Sequence, residues 1–590
     1  MEFLIKINRF IESNQTPSKL FVLFILLLLL IQVSNKNLPY PTGDGPEYVL
    51  TTEALYNHNS ADLRKTDVSS FKYHSCKIKP WNEVNRNYLF DSIGAFVNAS
   101  DSLKYLSSYY GSFYVDLKGS VYVHHFIFYS ILNVPMRYIM HWSNNDPMLG
   151  FEYTNILLII TTCMFLIFYD KKSFWTSLII TLLFFFNGAF WYVNWIHTEV
   201  MTACFAAISI FLLYKSKYYW SIFFMSLAAL QNQPLGILVL MMVMHTIYIE
   251  KFTLRSFILS AISSIIVLWP SMFYYYHYRI ASLISYGNYL SADNISFERF
   301  IGFFFDLNQG VIIALPIIMP VYVIIIIYLN AKNALNRKLN LLLLFIPIGM
   351  LLITYVACMI NNWIYGMGVI NRYAVWISAI ISMHFFFICS GLNFKNIYKF
   401  PLFFIIIISQ IWTVFYFEKD NLYDWMDKGH TKPAQWILNS FPSLYNPDPN
   451  IFIIRTRKNY KNVMDPNNSP VIHFNKKLEI MKVAIHKDKL QLLKGYGIKE
   501  IRIKEIETKN KFIFGWTYLN TNDFAEINPI YSSRFKTCIE DSLIQMQINF
   551  IKTDSNWLQM IRKKSIELNM PLDSILKMDA KYILDLKNNE

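Results

Sequence analysis

The segment Gly43-Asp44-Gly45-Pro46-Glu47-Tyr48 places two carboxylates within four residues, just past the first long apolar run of the chain. Carboxylates in a partly desolvated turn suit two tasks, taking a proton as a general base and holding a cation. The same residues also spell a helix start. Pro46 fits a first helical position, Gly and Asp form turns, and Glu47 in a first turn complements the helix dipole. What faces the turn decides between these readings.

Further residues fall in similar places. His197 and Glu199 stand at the start of an apolar run, where they can bind a divalent cation or hydroxyl groups, or simply be wetted at an interface. Asp306 lies in Phe305-Asp306-Leu307-Asn308-Gln309-Gly310, where capping a helix at Val311 is the competing role. Lys118, His124 and His125 lie near the start of the apolar stretch 121–142, and interfacial anchoring is the simplest account of them. Trp363, Gly366 and Gly368 are followed by Asn371-Arg372-Tyr373. Arg279, after the tyrosines at 274–278, reads as part of an aromatic belt. Cys163, Cys204, Cys358 and Cys389 lie in apolar runs and no CxxC pair occurs, which speaks against a metal knuckle or a disulfide framework. Cys76 and Cys538 alone stand where an external pair can form.

The elements that carry these residues are membrane helices. Of 590 residues 54% are hydrophobic and 16% charged, too apolar for an ordinary soluble chain of this length. Near-uncharged runs of about 20 residues recur from Leu20 to Phe417, each enough to cross a bilayer core. The run from Leu20 to Ile31 has no convincing cleavage site after it and is read as an uncleaved first helix. The net charge of +14 resides largely in short connections, with no basic, aromatic-interleaved module, so nucleic acid is excluded as a partner.

The positive-inside rule puts the amino-terminal tail, Lys171-Lys172, Lys215 with Lys217, Lys251 with Arg255, Lys332 to Lys338 and Lys395 to Lys399 in the cytoplasm. The external segments are then 35–120, 194–199, 231–234, 276–310, 361–373 and everything after about 418. The stretch 121–142 resists this scheme, because one crossing there would place Lys171-Lys172 outside; Pro135 suggests a broken hairpin. About 11 or 13 helices are expected, with two short ones over 218–249 meeting at Gln231-Asn232-Gln233-Pro234. The predicted fold is mainly α: a polytopic helical bundle over 1–418 with a first external loop at 35–120, and a small α+β extracytoplasmic domain over 419–590. In that domain Ile501-Arg502-Ile503 and Phe512-Ile513-Phe514 alternate like strands, while Trp557 to Ile583 show helical spacing, with a helix start at Pro571. Trp436 and Trp516 can stack on sugar, although isolated Trp residues usually belong to a core. No inverted repeat of a transporter is visible.

A first helix followed at once by an acidic turn in a long external loop resembles the GT-C superfamily of polyprenyl-phosphate-sugar-dependent glycosyltransferases, the group containing the protein O-mannosyltransferases and the lipid A aminoarabinose transferase. The Asp306-to-Gly310 loop is similar to an Asp-x-x-x-Gly loop of bacterial members, and Trp363 to Tyr373 to their Trp-Gly-Arg-Tyr loop. The resemblance covers about residues 1–420. It implies transfer of a sugar from a polyprenyl-phosphate donor to an external glycan, lipid or protein acceptor, with inversion at C1. Asp44 would be the base, Glu47 its orienting or cation-binding neighbour, and Arg372, Lys118 and His125 the groups that meet the donor phosphate. Tyr48, Asp306, Trp363, His197 and Glu199 would line the substrate, and a divalent cation is the sole cofactor in view. The composition, poor in Gly and rich in Lys, Asn and Ile, fits an AT-rich bacterial genome, and hence a bacterial inner membrane with the site and carboxyl-terminal domain outside. Two rivals share the helices: a polysaccharide polymerase or ligase, which usually carries its large loop later in the bundle, and a lipid-linked sugar flippase or transporter, which needs a polar path through the midplane.

Overall fold

The computed structural model describes residues 14–34, 43–75, 83–109, 111–169, 173–287, 289–332, 337–361, 369–391, 396–418, 429–458, 464–475, 479–496, 498–520, 544, 547–548, 551–552, 555–568 and 570–589. The chain divides into two compact units, Met1–Trp425 and Met426–Glu590.

The first unit is mainly helical. Among the described residues, five helices are long and apolar enough to cross a membrane: α1 (Gln15–Ser34), Leu149–Tyr169, the composite Leu254–Tyr278, Leu341–Cys358 and Arg372–Gly391. Five shorter apolar helices accompany them: Phe174–Phe185, Glu199–Tyr214, Gln233–Ile249, Ile318–Leu329 and Pro401–Phe417. The two-helix reading of 218–249 is found as expected. Tyr218–Gln231 and Gly236–Ile249 are separate helices joined by a 3-10 turn at Gln233–Leu235. Pro234 fits there because a first-turn residue has no intrahelical partner for its missing N–H.

After α1 the chain builds a compact layer. Helix α2 (Gly45–His58) starts with Pro46 in its first turn and ends at Asn59 in the left-handed region, φ 56°. Strands β1 (Ser108–Tyr109), β2 (Phe113–Val115) and β3 (Val121–Val123) form an antiparallel sheet in which Phe113 faces Val123 and Val115 faces Val121. The β-branched ends of β3 are buried against α2, sharing a core with Tyr48, Val49, Leu50 and Phe71.

The stretch 121–142 is not a broken hairpin, and it holds no helix of 18 residues or more. It is β3 followed by one amphipathic helix, α3 (Phe128–Trp142), that continues through Pro135. The reason is Arg137. It is 2% exposed and lies against Glu53 of α2, donating from Nε to Oε1 and from Nη2 to Oε2, the latter at 3.0 Å. A guanidinium that needs a carboxylate on a neighbouring helix cannot face lipid. Ser130 Oγ adds a bond to the Tyr48 carbonyl at 3.1 Å. Arg137 is the charge in the sequence that signalled this, and apolarity alone concealed it.

The second unit is α+β. Strands β4 (Val471–Phe474), β5 (Ile480–His486) and β6 (Trp516–Asn520) are antiparallel neighbours in that order. Helices Ser555–Glu567 and Leu572–Asn589 follow, with Pro571 immediately before the second as predicted. Ile501-Arg502-Ile503 is not a strand but part of helix Glu500–Lys509, where Ile503 and Ile506 turn inward. A three-residue alternation fits either period, and the inward pair at i and i+3 decides it. Of Phe512-Ile513-Phe514, Ile513 alone makes a bridge, to Trp516. Trp516 is core and Trp436 is exposed. Cys76 and Cys538 lie outside the described residues.

Candidate active site

Asp44 occupies the N-cap position of α2, yet its side chain makes no capping hydrogen bond. That removes the helix-start explanation of its carboxylate. Gly43 precedes it with φ 59°, a left-handed turn that suits glycine. The turn aims the carboxylate at three cations or cation-formers from distant segments. Asp44 Oδ2 accepts from Arg372 Nη1 at 2.7 Å, meets His197 Nε2 at 2.8 Å and lies 3.5 Å from His125 Nε2. Every ion pair of Asp44 among the described residues runs through Oδ2. Its side chain stays 18% exposed, facing a cavity.

Each partner is itself positioned. Arg372 opens the helix α4 (Arg372–Gly391), and its Nη2 donates to the Tyr373 hydroxyl at 2.7 Å. His197 is buried, its Nδ1 on Glu199 Oε2 and its ring stacked on Trp195 at 4.3 Å between centroids. The loop before it is pinned by Asn155, whose Nδ2 donates to the carbonyls of Val193 (3.0 Å) and Trp195 (3.2 Å). His125 follows β3, its Nδ1 3.0 Å from Glu47 Oε2. Tyr48 is buried among these rings, 5.6 Å from His125 and 5.4 Å from His197.

The electrostatics follow from this packing. Burial pushes the Asp44 carboxyl up, but His125, Arg372 and His197 together outweigh it and hold it well below the usual range, so it is ionised near neutrality. Burial likewise opposes ionisation of Glu47, and His124 and His125 overcome it. Burial, reinforced by the charge of His124, lowers His125 despite its two carboxylate neighbours.

The cavity has a volume of about 440 Å³, within the span of small-ligand sites. Asp44, His125, His197 and Arg372 form a polar wall, while Ile353, Val356, Ala357 and Trp376 supply an apolar one from the membrane helices. Gln231 to Pro234, Ser282 and Tyr289 also border it. Residues from 35–120, 194–199, 231–234, 276–310 and 361–373, the inter-helix segments predicted to be external, thus share one cavity lining.

Comparison of the chain with protein-family models, with curated proteins and with solved structures finds no match.

Of the residues singled out from sequence, Asp44, Tyr48, His125, His197 and Arg372 line one cavity, and Glu47 and Glu199 stand directly behind two of its histidines. Asp306 does not line it. Its Oδ1 accepts the backbone N–H of Asn308 (2.8 Å) and Gln309 (2.9 Å), and the Gln309 carbonyl then accepts the N–H of Asn371 at 2.9 Å. Asp306 thus shapes the loop that holds the residue before Arg372. Lys118 is exposed, its Nζ 5.5 Å from the Tyr276 ring, away from the cavity lining. Trp363 lies outside the described residues. Sequence reasoning missed Tyr373 and Trp376, which the helical continuation of the Arg372 motif into an apolar run could have nominated.

Proposed function

We propose that this chain is a membrane glycosyltransferase that moves a sugar from a polyprenyl-phosphate carrier to an acceptor outside the cytoplasm, as the resemblance to the GT-C superfamily implies. The observation that carries the reading is the meeting of Asp44 and Arg372 at 2.7 Å in a cavity with one polar and one apolar wall. A donor with a charged head and an isoprenoid tail needs both walls.

In this reading the acceptor hydroxyl approaches Asp44 from the side of Oδ1. As its oxygen bonds to C1 with inversion, its proton passes to the carboxylate and the bond from C1 to the phosphate oxygen breaks. The polyprenyl phosphate departs with the electron pair, and the guanidinium of Arg372 stabilises the charge. Arg372 already holds Asp44 Oδ2, so base and phosphate site are fixed relative to each other before substrate arrives. Burial of the cluster strengthens each interaction and limits hydrolysis of the donor.

The topology belongs to the same proposal. The ten apolar helices together with Tyr218–Gln231 make eleven crossings. With the amino terminus in the cytoplasm, eleven alternating spans put every basic loop inside and the cavity outside, provided α3 does not cross. The bacterial inner membrane is the proposed location, with the second unit outside the cytoplasm.

The test is Asp44→Asn in cells, with mass analysis of glycolipids, glycans and glycoproteins. Loss of about 10²–10⁴-fold in transfer at unchanged membrane abundance is expected. Full retained activity would sink the assignment, and uptake into vesicles without sugar transfer would favour the transporter rival.

A further inference from the structure

At the cavity wall, two consecutive histidines and Glu47 behind them form a second cluster whose hydrogen bonding does not close. Glu47 is 1% exposed and His124 is 7% exposed. His124 Nδ1 and His125 Nδ1 each lie 3.0 Å from the same carboxylate oxygen, Glu47 Oε2. The approach from His125 has hydrogen-bond geometry and that from His124 does not. Among the described residues, His124 Nδ1 and Glu47 Oε1 are buried with no hydrogen-bond partner. Orphaned buried groups of this kind are costly and call for a missing partner.

The cluster is also rigidly held. His124 donates its backbone N–H to the Ser112 carbonyl at 2.9 Å, and its own carbonyl accepts from the Tyr274 hydroxyl at 2.8 Å. Its ring stacks on Tyr289 at 5.5 Å and 21°. Glu47 is fixed in the first turn of α2, with Pro46 before it.

We propose that Glu47, His124 and His125 form a binding site for a divalent transition-metal ion of the zinc class, with a coordination position open to the cavity. One candidate ligand atom from each residue lies within 4.8 Å of the other two. Ligands at about 2.0–2.1 Å in a tetrahedron stand about 3.4 Å apart, so the two 3.0 Å contacts to Glu47 Oε2 need to lengthen by only a few tenths of an ångström to accept such an ion. Two imidazole nitrogens and one carboxylate oxygen suit Zn²⁺, whereas Mg²⁺ and Ca²⁺ favour oxygen. Both histidines line the cavity and Glu47 does not, so the fourth position faces the cavity. A metal-bound histidine commonly gives its other N–H to a carboxylate. His125 Nε2 lies 3.5 Å from Asp44 Oδ2, which ties the metal to the base of the proposed reaction.

Metal binding needs no donor or acceptor, so its test stands apart from the glycosyltransferase proposal. The full chain, purified in detergent and stripped with chelator, is titrated with Zn²⁺ and then with Co²⁺. One Zn²⁺ retained per chain and the intense visible absorption of tetrahedral Co²⁺ are expected, with neither abolished by excess Mg²⁺. Glu47→Gln and His124→Ala should each weaken Zn²⁺ binding at least tenfold, whereas His277→Ala, whose ring pairs with Asp116 instead, should leave it unchanged. If the wild-type chain gives no tetrahedral Co²⁺ spectrum, or the variants retain Zn²⁺ as tightly as wild type, the site is refuted. The wild-type spectrum decides the matter even where a variant fails to fold.

Discussion

Replacing Arg137 by Met tests what seats α3 on α2. Glu53, 1% exposed, would keep, among the described residues, only the Ser70 hydroxyl, at 3.1 Å, as a donor to its carboxylate. Removing one partner of a buried ion pair costs about 3–5 kcal/mol. The protein can escape part of that cost by protonating Glu53, which burial already raises above its usual value of 4.5 despite Arg137 and Ser70. Holding a carboxyl with a reference value of 4.5 protonated at pH 7.5 costs about 4 kcal/mol, which caps the penalty.

The sign with pH follows. A carboxyl protonated in the folded state and ionised in the unfolded state loses stability as pH rises above its unfolded value, so the deficit shrinks by about 1.4 kcal/mol for each unit of acidification towards 4.5. Native-state proteolysis of the 43–142 layer reads local opening. Arg137→Met should speed cleavage by about 10²–10³-fold at pH 7.5 and far less at pH 5.5. Glu53→Gln combined with Arg137→Met should return the rate to within about tenfold of wild type, since replacing a buried pair outright is nearly neutral. A single-variant effect below about fivefold, or one independent of pH, would refute the reasoning.

Two other perturbations probe the supports of each unit. A Cβ on Gly310 would sit 2.6 Å from the Asp306 nitrogen and 2.7 Å from its carbonyl oxygen, so Gly310→Ala should cost about 1–3 kcal/mol by overpacking and loosen the bond from Gln309 to Asn371; a thermal midpoint and activity equal to wild type would contradict this. In the second unit burial and Lys482 lower His473 to about 4, and burial with the charges of His473 and Arg455 lowers His430. Below pH 6.5 the unfolded chain takes up protons that these buried rings refuse, so stability should fall between pH 6.5 and 4, by up to about 3 kcal/mol for His473. Proteolysis of the second unit across that range measures it, and His473→Gln should flatten the profile.

The membrane helices were legible because apolarity over about 20 residues has one common cause. Residues from five segments predicted to be external also line one cavity. Asp44 and Arg372 could be placed on one side, but not at 2.7 Å, because a contact across 328 residues leaves no local pattern. The stretch 121–142 was misread for the opposite reason. Its composition satisfied a span, and the Glu53 partner that keeps Arg137 out of lipid lies 84 residues earlier. Asp306 was read as a substrate ligand or a helix cap; its Oδ1 accepts backbone N–H groups of its own loop, a use that no spacing rule separates from binding.

Asp44 is held by segments that arrive from three directions: His125 after β3, His197 before Glu199–Tyr214, and Arg372 at the start of α4. Two of these lie on the bundle and one on the layer built by α2, α3 and β1–β3. The carboxylate therefore sits at the seam between them, and its position reports how the layer is seated. Glu53 and Arg137 control that seating six residues beyond Glu47 and twelve beyond His125, without touching the cavity. A change at this buried pair should thus disturb His125 and Glu47 before it disturbs His197 or Arg372. Damage to metal binding and damage to the Asp44–Arg372 pair are then separable by choosing which side of the seam is perturbed.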